Sequence, residues 1–383
     1  LREYAHRVGI PTAPTGALMI AWSEEQLGAL SAIESAAIEN GHRDTRRVEA
    51  EELYEREPAL GPGAHGALEI PGEGIVCPWT TALALATEAT TGGCRLVLNA
   101  RVTGIEAGTR FELRTSRGSI EAEYLVNAAG LRSDELDAML GRREFTVRPR
   151  RGELIVFDKL ARSLVGHILL PVPTEKTKGV LVAPTVYGNL LLGPTADDID
   201  SRDDRSTTAE GLASLLAEGA RIVPALADHE VTATFAGLRA ATEHRDYQLR
   251  AHPEQRYVCA GGIRSTGVSG SMAIAEWVRD GLADAGLELS ADASGNEPRM
   301  PNIGETSPRP FERPELIAED PEFGRVVCFC ERVTRGEAEA AMRSAIPPAD
   351  VDGLRRRTRV LMGRCQGFFC EAEIRAMLGE GHG

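Results

Sequence analysis

Tyr257-Val-Cys-Ala-Gly-Gly-Ile-Arg-Ser-Thr-Gly-Val-Ser-Gly-Ser-Met-Ala-Ile-Ala-Glu-Trp277 decides how the rest of the chain reads. Tyr257 to Ala260 are short and apolar, the pattern of a buried strand. Gly261, Gly262, Gly267 and Gly270 then remove side chains where the backbone would pass close to something flat or charged. A helix is expected next, with Ile274, Val278 and Leu282 on one apolar face and Ser269 or Ser271 as its cap. A helix start behind a glycine turn offers free N–H groups to an anionic or electron-rich group. A tight turn without a ligand has the same look, because glycine punctuation is common.

Upstream, Pro78 to Thr91 reads as a helix opened by Pro78 and Thr80 and closed by Gly92-Gly93. Strands are expected over 94–98, 101–106, 111–114 and 120–126. The last runs into Val126-Asn-Ala-Ala-Gly130, with Ser133 as the cap of the next helix. A strand that closes on small residues lets a cofactor approach the carboxyl end of a sheet. Close helix–sheet packing explains the same residues.

The first sixty residues read as largely helical, with a strand near 16–21, a helix capped by Ser23 and a short acidic helix ending before Pro58. Gly61-Pro-Gly-Ala-His-Gly66 matches G-x-G-x-x-G letter for letter. Its context is wrong for a dinucleotide turn: an acidic helix precedes it, Pro62 interrupts it and no helix follows. It reads as a plain loop.

From Arg150-Arg-Gly-Glu-Leu-Ile-Val-Phe157 a second pattern begins. Strands recur near 166–170, 179–184, 189–192 and 231–239, with an amphipathic helix over 207–222. This block reads as a mostly antiparallel sheet inserted into the first domain. Lys178 and Arg239, at strand ends, suit an anionic substrate, Arg as a bidentate fork and Lys as a point charge. Ordinary solvated surface charge is the plainer reading of either. Residues 290–319 are rich in Pro, Ser, Gly and Asn and read as a linker.

The chain has 383 residues, 42% of them hydrophobic, and a formal charge of −14. That length supports two or three domains, and the charge excludes a nucleic-acid partner. No apolar run reaches the length of a membrane span. Seven cysteines, an odd number, fit a reducing compartment better than a disulfide framework. Cys77, Cys94 and Cys259 read as small core residues. His167, His229 and His244 show no ligand spacing.

The other four cysteines are grouped. Cys328-Phe-Cys330 and Cys365-Gln-Gly-Phe-Phe-Cys370 form C-x-C and C-x4-C elements around a helix with a Thr334/Glu337 capping box and a basic run, Arg355-Arg-Arg-Thr-Arg359. Four thiolates suit iron or zinc. The single-residue spacing departs from zinc knuckles, which places a [2Fe–2S] cluster ahead of zinc and zinc ahead of unrelated thiols. The arginines are expected to offset the cluster's negative charge.

Two resemblances emerge from these phrases. The sequence around Cys328, Cys330, Cys365 and Cys370 resembles the bacterioferritin-associated-ferredoxin-like [2Fe–2S] domain over about 325–372, with all four ligand positions matched. Residues 1 to about 288 resemble the D-amino-acid-oxidase superfamily of FAD enzymes, through Glu57-Pro-Ala-Leu60, Val126-Asn-Ala-Ala-Gly130, Arg151-Gly-Glu153, Lys178-Gly-Val180, Leu192-Gly-Pro-Thr195, Gly237-Leu-Arg239 and Gly262-Ile-Arg-Ser-Thr-Gly267. Within it they are similar to the anaerobic-type FAD-dependent glycerol-3-phosphate dehydrogenases and the related 2-hydroxyglutarate oxidases.

The second resemblance implies an α/β (α+β) fold: an FAD-binding Rossmann-like domain with an inserted, mostly antiparallel substrate domain, plus a small helical [2Fe–2S] domain. The expected division is a substrate-domain segment at 1–78, FAD-binding parts at 79–145 and 241–289, the substrate domain at 146–240, a linker at 290–324 and the cluster domain at 325–383. In that family the dinucleotide fingerprint and an N-terminal histidine region lie ahead of the stretch that Leu1 opens. The FAD domain is therefore expected here without its first strand and helix. The implied cofactor contacts are Gly262, Ile263, Thr266, Gly267 and Val268 at the flavin ring, Ala129 and Gly130 beside it, and Val102 toward the adenine end. Arg239 and Lys178 are implied as the anion clamp, with Arg264 and Ser265 next to the flavin.

The implied activity is hydride transfer from a small anionic alcohol, glycerol 3-phosphate foremost, to FAD, with the cluster relaying electrons to an acceptor protein or quinone-linked subunit. The protein is expected to be cytoplasmic, or held at the inner face of the membrane through a partner. A 2-hydroxy-acid or amino-acid oxidase on the same scaffold is the second reading. A non-catalytic iron–sulfur subunit is the third.

Overall fold

In the computed structural model, which describes residues 1–173, 179–290 and 297–379, the largest element is a nine-stranded sheet. Its order is Asp197–Asp198, Val147–Phe157, Leu190–Gly193, Leu181–Pro184, Ile168–Pro171, Ala17–Ala21, Gly66–Ile70, Arg46–Glu49. The ninth strand, Val231–Thr242, pairs along Val147–Phe157 from Val147↔Thr242 to Phe157↔Val231. Every pair is antiparallel except Ile168–Pro171 with Ala17–Ala21. Strands from the first seventy residues and from 147–242 thus share one sheet.

Its core face carries Leu18, Ile20, Ile155, Phe157, Leu190 and Leu192, all buried in one cluster with Leu215 and Ile222 of the helix Ala209–Ile222. Gly219 allows the closest approach: a Cβ there would lie 2.5 Å from Leu192 Cδ2. The helix is capped by Thr208, whose hydroxyl accepts from Gly211 N. The buried Glu153 carboxylate accepts from Thr208 N at 3.0 Å and Oγ1 at 2.8 Å. Anchoring a helix start with a carboxylate is favourable electrostatically, and it explains an acidic residue inside a core strand. The Gly61-to-Gly66 run is a loop, as expected, followed by a strand. Gly61 packs so close to the end of this helix that a Cβ would fall 2.1 Å from Arg221 O.

A second, three-stranded sheet places Gln248–His252 antiparallel to Tyr257–Gly261, and Tyr257–Gly261 parallel to Leu125–Asn127. The antiparallel strands Val102–Ala107, Phe111–Thr115 and Gly118–Ala122 form a third sheet beside it. Ile105, Phe111, Leu125, Phe145, Tyr257 and Cys259 close the core between them.

Several local expectations change. Residues 94–98 form no strand; they run exposed, and Cys94 is on the surface. The helix Pro78–Thr91 is as expected, but its cap is Cys77, whose sulfur accepts from Thr80 N at 3.2 Å. Ser133 is the first residue of Ser133–Met139, and its hydroxyl turns back to Gly130 O at 2.9 Å. The helix after the glycine turn starts at Gly267, ahead of Ser269 and Ser271, with Thr266 at its N-cap and no side-chain cap bond. The strand Arg46–Glu49, with one buried residue, Val48, lies in the stretch between the two helices expected there. The described part of the linker is pinned: Met300 N bonds Val8 O at 2.7 Å, Glu305 N bonds Val186 O at 2.8 Å, and Ile303 is buried.

Candidate functional site

The strands Leu125–Asn127 and Tyr257–Gly261 run in one direction, Cys259 opposite Asn127, so their carboxyl ends open side by side. A crevice at that edge is where open α/β sheets take ligands. The turn after Asn127 is held from inside. Asn127 Nδ2 donates to Ser133 O at 2.8 Å and to Tyr257 Oη at 2.9 Å, and Asn127 Oδ1 accepts from Ala129 N at 3.2 Å. Tyr257 Oη in turn donates to the buried Asp137 carboxylate. Burial and this bond push the Tyr257 phenol well above its usual range, and burial pushes the Cys259 thiol up to about 12. Both stay neutral and serve as scaffold.

At the second strand's end Gly261 packs on Phe145 and Ser133, and Gly262 adopts φ +60° against Gln248 and Thr242. The 262–267 bend is tied down at its flanks: Arg264 donates to Arg245 O at 2.8 Å, and Tyr247 and Thr266 share a hydroxyl–hydroxyl bond. Ser265 stands exposed at φ 62°. Ile263, Thr266 and Gly267 are half-buried and Val268 is exposed. Across the crevice Ala129 and Gly130 are exposed, and Gly130, at φ +56°, has nothing within 4 Å of where a Cβ would be. A turn of small exposed residues, a glycine bend and a helix start thus lie at the carboxyl ends of two neighbouring strands, residues whose chemistry fits a flat, anionic cofactor such as FAD. Val102 is half-buried in the core behind it.

Arg239 lies on Val231–Thr242, the strand whose last residue, Thr242, supports Gly262. Three residues at about 3.3 Å each separate the two by about 10 Å along the strand. Its guanidinium donates to Thr195 O at 2.5 Å and Arg151 O at 3.4 Å. Among the described residues it forms no ion pair; its neighbour Arg150 takes Asp198 instead, at 2.6 Å. Burial, followed by the charge of Arg150, pulls its pKa below the usual arginine range. A half-buried cation held only by carbonyls is poised for an incoming anion. No hydrogen bond joins it to the 262–267 bend among the described residues. Lys178 lies outside the described residues.

Of the four C-terminal thiols, Cys328 and Cys370 are buried in one core, and Cys330 and Cys365 are half-exposed. The Cys370 contact draws Cys328 down and, with burial, drives Cys370 up. Burial raises Cys330. It also opposes ionisation of Cys365, but N–H groups of Phe369 and Gly367 and the Cys330 thiol hold Cys365 low. Among the described residues no three His, Cys, Asp or Glu side chains gather as a single-ion site would require. Four cysteines in one segment suit a [2Fe–2S] cluster.

The basic run is spent elsewhere than expected. Arg355 and Arg356 pair with Asp352, and Arg357 bonds the 344–346 turn. Arg359 reaches Glu331, the residue after Cys330. A cavity of about 1220 Å³ lies away from both sites, between the helix Pro78–Thr91 and the C-terminal segment. No helix among the described residues is long and apolar enough to cross a membrane.

Residues 1–280 match the FAD dependent oxidoreductase (DAO) family, and residues 326–380 match the BFD-like [2Fe-2S] binding domain. A glycerol 3-phosphate dehydrogenase of Caloramator mitchellensis is 32% identical over 376 residues, 97% of this chain and 78% of that protein. An anaerobic glycerol-3-phosphate dehydrogenase subunit of Escherichia coli (strain K12) is 26% identical over 405 residues, 95% of this chain and 73% of that one. Among solved structures, the dithionite-reduced L-alpha-glycerophosphate oxidase of Mycoplasma pneumoniae with FAD bound superposes with a TM-score of 0.71 at 26% identity, covering 78% of this chain and 80% of that one.

Proposed function

The chain belongs to the family of FAD-dependent oxidoreductases, and from that premise we propose that it is a dehydrogenase of a small phosphorylated alcohol, glycerol 3-phosphate. Its cofactors are FAD and a [2Fe–2S] cluster. When bound, FAD supplies the two-electron acceptor for a carbinol hydrogen and the cluster a one-electron outlet. The chain's own part is to hold, orient and exclude water. Arg239 takes the phosphate, with Lys178 as a second positive charge. Gly262, Ile263, Thr266, Gly267 and Val268 would hold the flavin edge, and the N–H groups that open the helix at Gly267 would favour negative charge there. Arg264 and Ser265 flank the ring; Ala129 and Gly130 line the facing wall, and Val102 lies toward the adenine end. Cys328, Cys330, Cys365 and Cys370 hold the cluster.

The observation that carries this reading is Arg239, half-buried with carbonyl partners and no ion pair among the described residues. The relatives named above act on glycerol 3-phosphate, and a phosphate satisfies a guanidinium fork as well as any substrate group. The acceptor is a partner protein or quinone-linked subunit, which would also account for a place at the inner membrane face. Arg239→Ala is expected to raise the KM for glycerol 3-phosphate by about 10- to 100-fold, the loss of a charged hydrogen bond, with flavin content unchanged. Steady-state kinetics with a dye acceptor measure this; unaltered kinetics would remove Arg239 from the site. A carboxylate would fit the same fork, so a panel including 2-hydroxy acids and amino acids decides between phosphate and carboxylate substrates.

A further inference from the structure

The C-terminal segment is seated on the large sheet by a chain of charges that begins at the cluster ligands. Glu331 follows Cys330 and is buried. Its carboxylate meets Arg359 Nε at 2.8 Å and Lys159 Nζ at 3.0 Å. Burial opposes the charge on Glu331, but Arg359, then Lys159, hold its carboxyl below the usual range. Arg359 is also buried. Its guanidinium donates to Asn189 Oδ1 at 3.2 Å and lies 4.2 Å above the Tyr187 ring. Beside it Arg364 grips Asp158 through two bonds, at 2.8 and 3.2 Å. Lys159, Asp158, Tyr187 and Asn189 belong to the sheet's loops; Glu331, Arg359 and Arg364 belong to the cysteine-bearing segment.

The same ion pair joins the two stretches that flank the ligands. Glu331 follows Cys330 directly, and Leu361, two residues past Arg359, packs in one buried core with Cys328 and Cys370. Arg359 and Leu361 both hold left-handed backbone, φ 71° and 64°, a turn that non-glycine residues keep only where surrounding contacts enforce it. Net charge beside the ligand sulfurs is one of the levers that set an iron–sulfur potential.

We propose that Arg359 is a positioning residue that couples the seating of the C-terminal segment on the sheet to the 359–361 turn packed with Cys328 and Cys370. While the guanidinium is clamped by Glu331, Asn189 and Tyr187, the turn is held against both cysteines and the positive charge stays beside the ligands. When the clamp opens, the segment loosens and the cluster becomes harder to reduce. The potential part rests on the cofactor assignment, and its role in turnover on the relay proposed above; the seating does not.

The test uses the full-length holoenzyme with iron and flavin content measured. Arg359→Gln is expected to lower the cluster's midpoint potential in an EPR-monitored redox titration. It should also speed amide exchange in 358–362 and 185–190 at least tenfold. Arg359→Lys, which keeps the charge without the fork, should fall between. In anaerobic stopped flow, flavin bleaching by glycerol 3-phosphate should stay within twofold while cluster reduction slows at least tenfold. An unchanged potential together with unchanged exchange overturns the proposal. Should Arg359→Gln lose iron or fold, Lys159→Gln/Arg364→Gln at the exposed rim decides: faster exchange at 185–190 supports the seat, and wild-type exchange rejects it. Wild-type flavin that glycerol 3-phosphate does not reduce would sink the substrate assignment alone, since exchange and potential need no substrate.

Discussion

The cysteine-bearing segment and the flavin cradle solve opposite problems. The segment gathers its ligands from two short stretches, closes a core of Val327, Val333, Ala338, Leu354, Val360 and Ile374 around them, and docks through buried charges. The cradle is assembled from residues 125–130 and 245–268, more than a hundred positions apart, and its crevice side is exposed at Val126, Ala129 and Gly130. A metal centre needs a few strong, directional ligands, which short spacings can supply. A flavin needs length, flatness and backbone, which only a sheet edge supplies. Damage should therefore be all-or-none in the first region and graded in the second.

The largest effect is expected at the ligands. Cys328→Ser should abolish the cluster's visible absorption and EPR signal while leaving bound flavin within about twofold of wild type, as judged by the absorption spectrum. Parallel loss of flavin would mean that the two regions are not independent. An intermediate effect is expected at Gly262→Ala. Its φ of +60° and a Cβ 3.0 Å from Gln248 Cγ and 3.1 Å from Thr242 Cγ2 leave an alanine strained. At about 1–3 kcal/mol of backbone strain, FAD affinity should fall by at least about fivefold in a fluorescence titration, with iron content unchanged. Wild-type affinity would remove the bend from the cradle.

The smallest effect concerns acid. Burial works against ionisation of Asp158, but the Arg364 guanidinium keeps its carboxyl below the usual range. A carboxylate with a lowered folded pKa stabilises above its unfolded value of about 3.9, and that contribution disappears as pH falls through the folded pKa. Amide exchange near 158–164 should therefore be flat from pH 5 to 8 once corrected for intrinsic rates, and should loosen only below about pH 4. Loosening near neutrality would mean that a different group holds the seat. Because Arg364 is half-exposed, the change should be small and screened by salt.

Much of this was legible in residues alone, unevenly. The helix Pro78–Thr91, the Thr334/Glu337 capping box and the long strand through Arg151-Gly-Glu153 follow from periodicity and cap chemistry. The 94–98 stretch alternates like a strand but finds no partner, so its leucines stay exposed. Ser269 and Ser271 looked like caps because cap chemistry is read from residue type, whereas the Thr266 turn had already started the helix. The Glu331–Arg359 clamp left no signal beyond a charge next to a ligand, since its other half, Tyr187 and Asn189, comes from a distant hairpin.

By itself the sequence marked the candidates for chemistry: four cysteines at ligand spacing, a glycine bend between strand and helix, and an arginine expected at a strand's end, which the structure places three residues inside the strand. Spacing and side-chain type suffice for that, because short-range geometry is set by the backbone between neighbours. The tertiary structure decided which of those residues meet, where the charges of the basic run are spent, and that Arg239 donates to carbonyls and forms no ion pair among the described residues. Those outcomes depend on long-range packing, which places a carboxylate or withholds it irrespective of local pattern.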